Sequence, residues 1–209
     1  VVMIGRYVGS HNEKQVNTVI GNSITLFSFL SLILLIALLC CRTMITTIMN
    51  TPIEAIQETK NYLTICFLGI PFIIAYNVVS SIFRGLGDSK TPMYFIFIAC
   101  LSNIVLDYVF VGFFHMHATG AALATIIAQA VSVVISLLAI KSKKLIHIHK
   151  TDLKIQQETL QNILKIGVPV SLQDGFIQVS FLIITIIANS RGVEVSAAVG
   201  IVEKIISFL

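Results

Sequence analysis

Between Lys14 and Arg42 the chain carries no charged residue, and residues 16–39 form one predominantly apolar run. A run of that length crosses the hydrocarbon of a bilayer, which takes about 20 apolar residues as a helix. It leaves little choice of fold. In lipid every main-chain N–H and C=O must find its partner inside the protein, so a soluble core or an open sheet edge is ruled out. Further runs of the same kind occupy residues 61–83, 91–113, 118–140 and 167–189, and residues 195–209 begin a sixth. Composition agrees: 56% of residues are hydrophobic and 11% charged, against about 25% charged in a soluble domain, and mean hydropathy is +0.93. The expected class is all-α, a polytopic membrane bundle, with the lipid bilayer as its first partner.

Orientation follows from lysine and arginine. Loops on one side carry Arg6, Lys14, Arg84, Lys90, Lys141, Lys143, Lys144, Lys150, Lys154 and Lys165; the other side has Arg42, Lys60 and Arg191. Cytoplasmic loops hold the excess of basic residues, which puts the first set inside the cell. The net charge of +4 is therefore a topology signal, and no nucleic-acid partner is implied. The opening residues VVMIGRYVGS read as the tail of a helix, and the last, AAVGIVEKIISFL, stop in mid-helix. The expectation is an internal piece of a longer multi-pass protein of the plasma membrane.

Two polar residues stand out in the third run. Asn103 and Asp107 lie four apart, one helical turn, and so share a face. A carboxylate at that depth costs roughly 2.5–3.5 kcal/mol on insertion scales, and such residues usually mark an ion or substrate path. Asp107 is six residues before the outer end of its run, and Thr125 is seven after the start of the next. At 1.5 Å per residue both lie about 9–11 Å deep. Asn103, Asp107 and Thr125 are thus expected to form one oxygen-rich cluster, with Thr125 level with Asp107. It serves either as a proton or cation site or as an interhelical hydrogen-bond clamp.

Other features are weaker. Cys40, Cys41, Cys66 and Cys100 form no C-x-x-C pair, so neither a zinc site nor a redox motif is supported. His115 with His117, and His147 with His149, sit in loops without a nearby acid or cysteine, so no metal site and no cofactor is expected. Polar side chains within the runs are candidates to line a cavity: Tyr76 or Asn77, which point about 100° apart and cannot both face inward, Ser80, Gln129, Gln173, Asp174 and Gln178. Asp174 either couples to an ion or is solvated near the cytoplasmic mouth. Pro71 and Pro169 interrupt helices as hinges or as static kinks. The segment 152–167 alternates at helical spacing and reads as an interfacial helix.

Four segments together carry a family resemblance: FRGLGDSKTP at 83–92, NIVLDYVFVG at 103–112, TGAALATIIAQ at 119–129 and GVPVSLQ at 167–173. In this order they resemble helices 4 to 7 of the multidrug and toxic compound extrusion (MATE) transporters. The resemblance implies two six-helix lobes working by alternating access. Residues 1–140 would hold helices 2–6 of the first lobe, 141–165 the cytoplasmic linker, and 166–209 helices 7 and 8. Helix 1 and helices 9–12 would lie outside the chain. Asn103, Asp107 and Thr125 would match the cation site of the first lobe. The coupling Glu that some relatives carry in helix 7 is replaced here by Ile177 or Gln178, which argues against coupling through that helix.

The function expected is a secondary antiporter, not an enzyme, that exports amphipathic or cationic small organic molecules in exchange for H⁺ or Na⁺. No obligate protein partner is evident. The alternative is a lipid-linked oligosaccharide flippase of the same broader superfamily, which would need Lys or Arg inside the spans to meet pyrophosphate. An intramembrane enzyme would need His and acid together in a span, and no span contains a His.

Overall fold

A computed structural model describes residues 1–48, 56–143, 152, 154–190, 199–200 and 202. Its elements are helical: α1 (Val2–Gly9), α2 (Glu13–Ile48), α3 (Ile56–Leu68), α4 (Ile70–Gly85), α5 (Lys90–Asp107), a π-helical segment (Tyr108–Phe113), α6 (His117–Lys143) and α7 (Gln157–Ser190). No strand occurs among the described residues. Five stretches are long and apolar enough to cross a membrane: Glu13–Thr47, Ile56–Gly85, Lys90–Phe113, His117–Ser142 and Gln157–Thr185. The first four each contain one of the complete runs, and the last covers 167–185 of the run 167–189. The sixth, 195–209, falls largely outside the described residues.

Burial follows the logic of lipid rather than water. Phe97, Ile104 and Tyr108 are exposed, while Asn22, Ser132 and Ser136 are buried. Apolar side chains gain little by leaving lipid, so small and polar residues mediate helix contact alongside close-packed apolar ones. Two apolar clusters lie deepest: Ile4, Val16, Val19, Ile20 and Ile82 join α1, α2 and α4, and Val79, Phe83 and Phe95 join α4 to α5. Phe83 and Phe95 meet edge to face at 5.6 Å.

The second span is two helices. Gly69 separates α3 from α4, and Pro71 occupies the first turn of α4, where its missing N–H costs nothing. A Cβ at Gly69 would stand 2.7 Å from the Ile126 side chain of α6, so the bare glycine lets the break lie against that helix. Pro169 lies inside α7 without ending it. The α4–α5 turn is built from its sequence: Gly87 takes φ +89°, which favours glycine. The Thr91 amide donates to Asp88 Oδ1 at 3.0 Å and the Thr91 hydroxyl to Oδ2 at 2.5 Å. Asp88 therefore supplies the cap, and Ser89 makes no side-chain cap bond.

The chain divides into two compact units, Val1–Leu160 and Gln161–Leu209. In the first, α6 packs against α3, α4, α5 and the π-helical segment. The interfacial helix expected over 152–167 is not a separate element. From Gln157 onward it is the beginning of α7, which continues through Gly167 and Pro169 into the apolar run.

Candidate cation and transport site

Two stripes face each other across α5 and α6. Ile96, Ala99, Cys100 and Asn103 recur at helical spacing on α5, and Thr125, Ala128, Gln129 and Ser132 do so on α6. With Tyr76 of α4 they enclose a cavity of about 140 Å³. Drug-sized ligands occupy pockets of roughly 300–1,000 Å³, so this space suits a few waters or a small cation.

Close packing at the outer end brings the stripes together. Gly120 lies against the π-helical segment: a Cβ there would stand 3.2 Å from Phe110 Cβ. Ala122, Ala124 and Ala128 are buried along the same helix. Within the cavity the Asn103 amide nitrogen donates to the Thr125 hydroxyl at 3.5 Å, and that hydroxyl donates to the Ala121 carbonyl at 2.9 Å. Ser132 donates to the Phe95 carbonyl at 3.4 Å, and the Tyr76 hydroxyl to the Pro92 carbonyl at 3.2 Å. These bonds fix α4 and α6 onto α5 and give the cavity a polar lining.

Asp107 is outside this lining. Its side chain is half-buried, with Oδ1 enclosed and without a hydrogen-bond partner among the described residues. The depth expectation is thereby corrected: Thr125 pairs with Asn103, one turn deeper than Asp107. The π-helical segment is the physical reason. Its i→i+5 bonding wraps more residues per turn than an α-helix, so counting 1.5 Å per residue through 108–113 sets Asp107 too deep. The α6 helix also starts at His117, which puts Thr125 about 12 Å from its outer end.

Gln129 lines the cavity as expected, and Asn77 does not. Asn77 is exposed and donates to the Ile73 carbonyl of its own helix at 2.9 Å. Of the Tyr76–Asn77 pair it is Tyr76 that faces inward, and Cys100 and Ser132 take part without having been singled out as site residues. The signal for Ser132 lies in the sequence, since 125, 129 and 132 form an i, i+4, i+7 stripe; Tyr76 lies three and four residues before the buried Val79 and Ser80. In the second unit, Gln173 shares a groove-lining face of α7 with Pro169, Leu172, Phe176 and Ser180. Asp174 and Gln178 are exposed and lie one face round.

Residues 1–109 match the MatE family model. The chain belongs to the MATE family. Its curated relatives include two proteins of Bacillus subtilis (strain 168), both named probable multidrug resistance proteins. YoeA is 30% identical over 217 residues, covering 100% of this chain and 47% of its own. YpnP is 35% identical over 162 residues, covering 78% of this chain and 36% of its own. This MATE chain thus spans about half the length of the curated relatives it matches, or less. A solved structure of a MOP superfamily transporter from Pyrococcus furiosus superposes with TM-score 0.88 at 24% identity, over 98% of this chain and 46% of its own; it establishes the MATE-like helical fold. Members of the family are transporters rather than enzymes, and five apolar helices make this MATE chain a multi-pass membrane protein.

Proposed function

We propose that this protein is a secondary antiporter of the plasma membrane that exports amphipathic or cationic small molecules in exchange for H⁺ or Na⁺. The activity belongs to the whole transporter, of which the chain spans part. The observation that carries the reading is the Asp107 carboxylate, with one oxygen enclosed and unpartnered, one turn above the Asn103–Thr125 pair. A buried carboxylate oxygen without a partner costs about 1–3 kcal/mol or more, and a proton or a bound cation removes that cost. Asp107, Asn103 and Thr125 supply the hard oxygen donors that either ion takes. A site whose occupancy differs between two conformations can couple an ion gradient to transport, because a ligand shifts an equilibrium only by its differential affinity.

The names of YoeA and YpnP support export of drugs as the outcome. The flippase alternative finds no support in the spans, since residues 16–39, 61–83, 91–113, 118–140 and 167–189 contain neither Lys nor Arg. The groove face of α7 with Gln173 is a candidate contact for the exported compound, and the 140 Å³ cavity, too small for a drug, lies beside Asn103 and Thr125, one turn below Asp107.

The test is efflux by the full-length protein in vesicles under separately imposed proton and sodium gradients. Wild type is expected to move an amphipathic cation such as ethidium under one of the two. Asp107→Asn should insert normally and lose the gradient-driven component. Full gradient-driven efflux by a well-inserted Asp107→Asn protein would overturn the assignment.

A further inference from the structure

The described end of the connection between α6 and α7, Asp152 and residues 154–156, rests on a seat in α2. Asn22 is 1% exposed, although it is polar and lies in a membrane span. Its Oδ1 accepts the main-chain N–H of Gln156 at 2.7 Å. Its amide nitrogen donates to the Thr18 carbonyl at 2.9 Å and reaches the Lys154 carbonyl at 3.4 Å. Gln156 immediately precedes α7, and the start of a helix leaves N–H groups without partners inside the helix. Asn22 satisfies such a group from 134 residues away.

The neighbouring residue completes the seat by having no side chain. A Cβ on Gly21 would stand 2.6 Å from the Asp152 carbonyl carbon and collide with its oxygen. The bare glycine therefore lets the connection's main chain lie directly on α2. Two consecutive residues thus serve one stretch of backbone, Gly21 by its absence of bulk and Asn22 through both ends of its amide. The start of α7, up to Leu160, accordingly belongs to the first compact unit.

We propose that Gly21 and Asn22 are positioning residues for transport. They hold the connection and the first turn of α7 to the first unit throughout the cycle, so that any rearrangement of α7 begins beyond Leu160. The inference rests on the transporter reading above and adds to it a fixed point that neither the cation site nor the cavity supplies. A connection that slipped on α2 would dissipate the movement that ion binding drives.

The experiment combines hydrogen exchange and ethidium efflux on the full-length protein in lipid vesicles. In wild type the Gln156 amide should be protected. Asn22→Ala and Gly21→Ala should each speed its exchange at least tenfold. They should also cut maximal efflux several-fold while leaving the half-saturating ethidium concentration unchanged. Asn22→Asp retains the acceptor and should stay within threefold of wild type in exchange. If Asn22→Ala does not accumulate, Gly21→Ala carries the test, since it disturbs the contact without removing a polar group. Unchanged exchange in the variants would show that the seat does not exist. Faster exchange with unchanged efflux would show that it positions nothing needed for transport. A wild-type protein that moves ethidium under neither gradient would sink the transport reading and the positioning role with it, while exchange would still report whether the seat forms.

Discussion

Adding one methyl group at Gly120 tests the packing that sets the geometry of the site. An alanine Cβ there would stand 2.8 Å from Met116 Cβ, 3.2 Å from Phe110 Cβ and 3.3 Å from the Phe110 carbonyl carbon. Carbon atoms pack best at about 3.5–4.0 Å, so relief needs a shift of roughly 0.7–1.2 Å against Met116. None of the three contacts is the free end of a flexible side chain. Overpacking of this kind costs about 1–3 kcal/mol. Opposing it is the helix preference of alanine over glycine, about 1 kcal/mol. Gly112 supplies the control, because a Cβ there would meet only Tyr108, at 3.7 Å and beyond, an ordinary contact. The preference term is shared by both substitutions. Gly120→Ala should therefore be less stable than Gly112→Ala by about 1–3 kcal/mol. The assay is the fraction of full-length protein that stays monodisperse through a graded heat or SDS series, run in parallel for the two variants. Equal stability, or a more stable Gly120→Ala, would refute the close approach of α6 to the π-helical segment.

Asp88→Ala removes the acceptor for both the Thr91 amide and hydroxyl and should cost about 0.5–2 kcal/mol, read in the same heat series; an unchanged midpoint would count against the cap. A small maleimide at Cys100, in a background lacking the other three cysteines, should block efflux, because the thiol lines the cavity beside Asn103. Labelling that leaves efflux intact would place the ion path elsewhere. Thr125→Val keeps the shape of the side chain but removes the hydroxyl that Asn103 reaches. It should weaken the coupled component while sparing insertion, as measured by efflux under the two imposed gradients.

The spans were legible because membrane burial leaves a coarse mark, 20 residues or more that are mostly apolar and free of Lys and Arg, and all five complete runs are helical. The turn at Gly87 and Asp88 is local in origin, since its residues carry their own conformational preferences. Two things were not legible. A π-helical segment has no composition of its own: YVFVGF reads as any apolar helix, and a level counted through it comes out wrong for Asp107. Helix phase was the second. Tyr76 and Asn77 are adjacent, and which of them faces α5 depends on where Gly69 restarts the helix. The seat at Gly21 and Asn22 was hidden for a different reason, because its partner lies 134 residues away and no local pattern announces it.

The central place of α6 has a consequence for how the protein is made. It is the last helix of the first unit to leave the ribosome, yet it packs against α3, α4, α5 and the π-helical segment. Asn103 precedes its partner Thr125 by 22 residues. At about 5–20 residues per second that is a delay of roughly 1–4 s. For that interval α5 presents Asn103 and Asp107 to the insertion machinery without the helix that later covers them. Insertion of α5 on its own would leave these polar side chains without that cover, and α5 and α6 are expected to enter the bilayer as a pair.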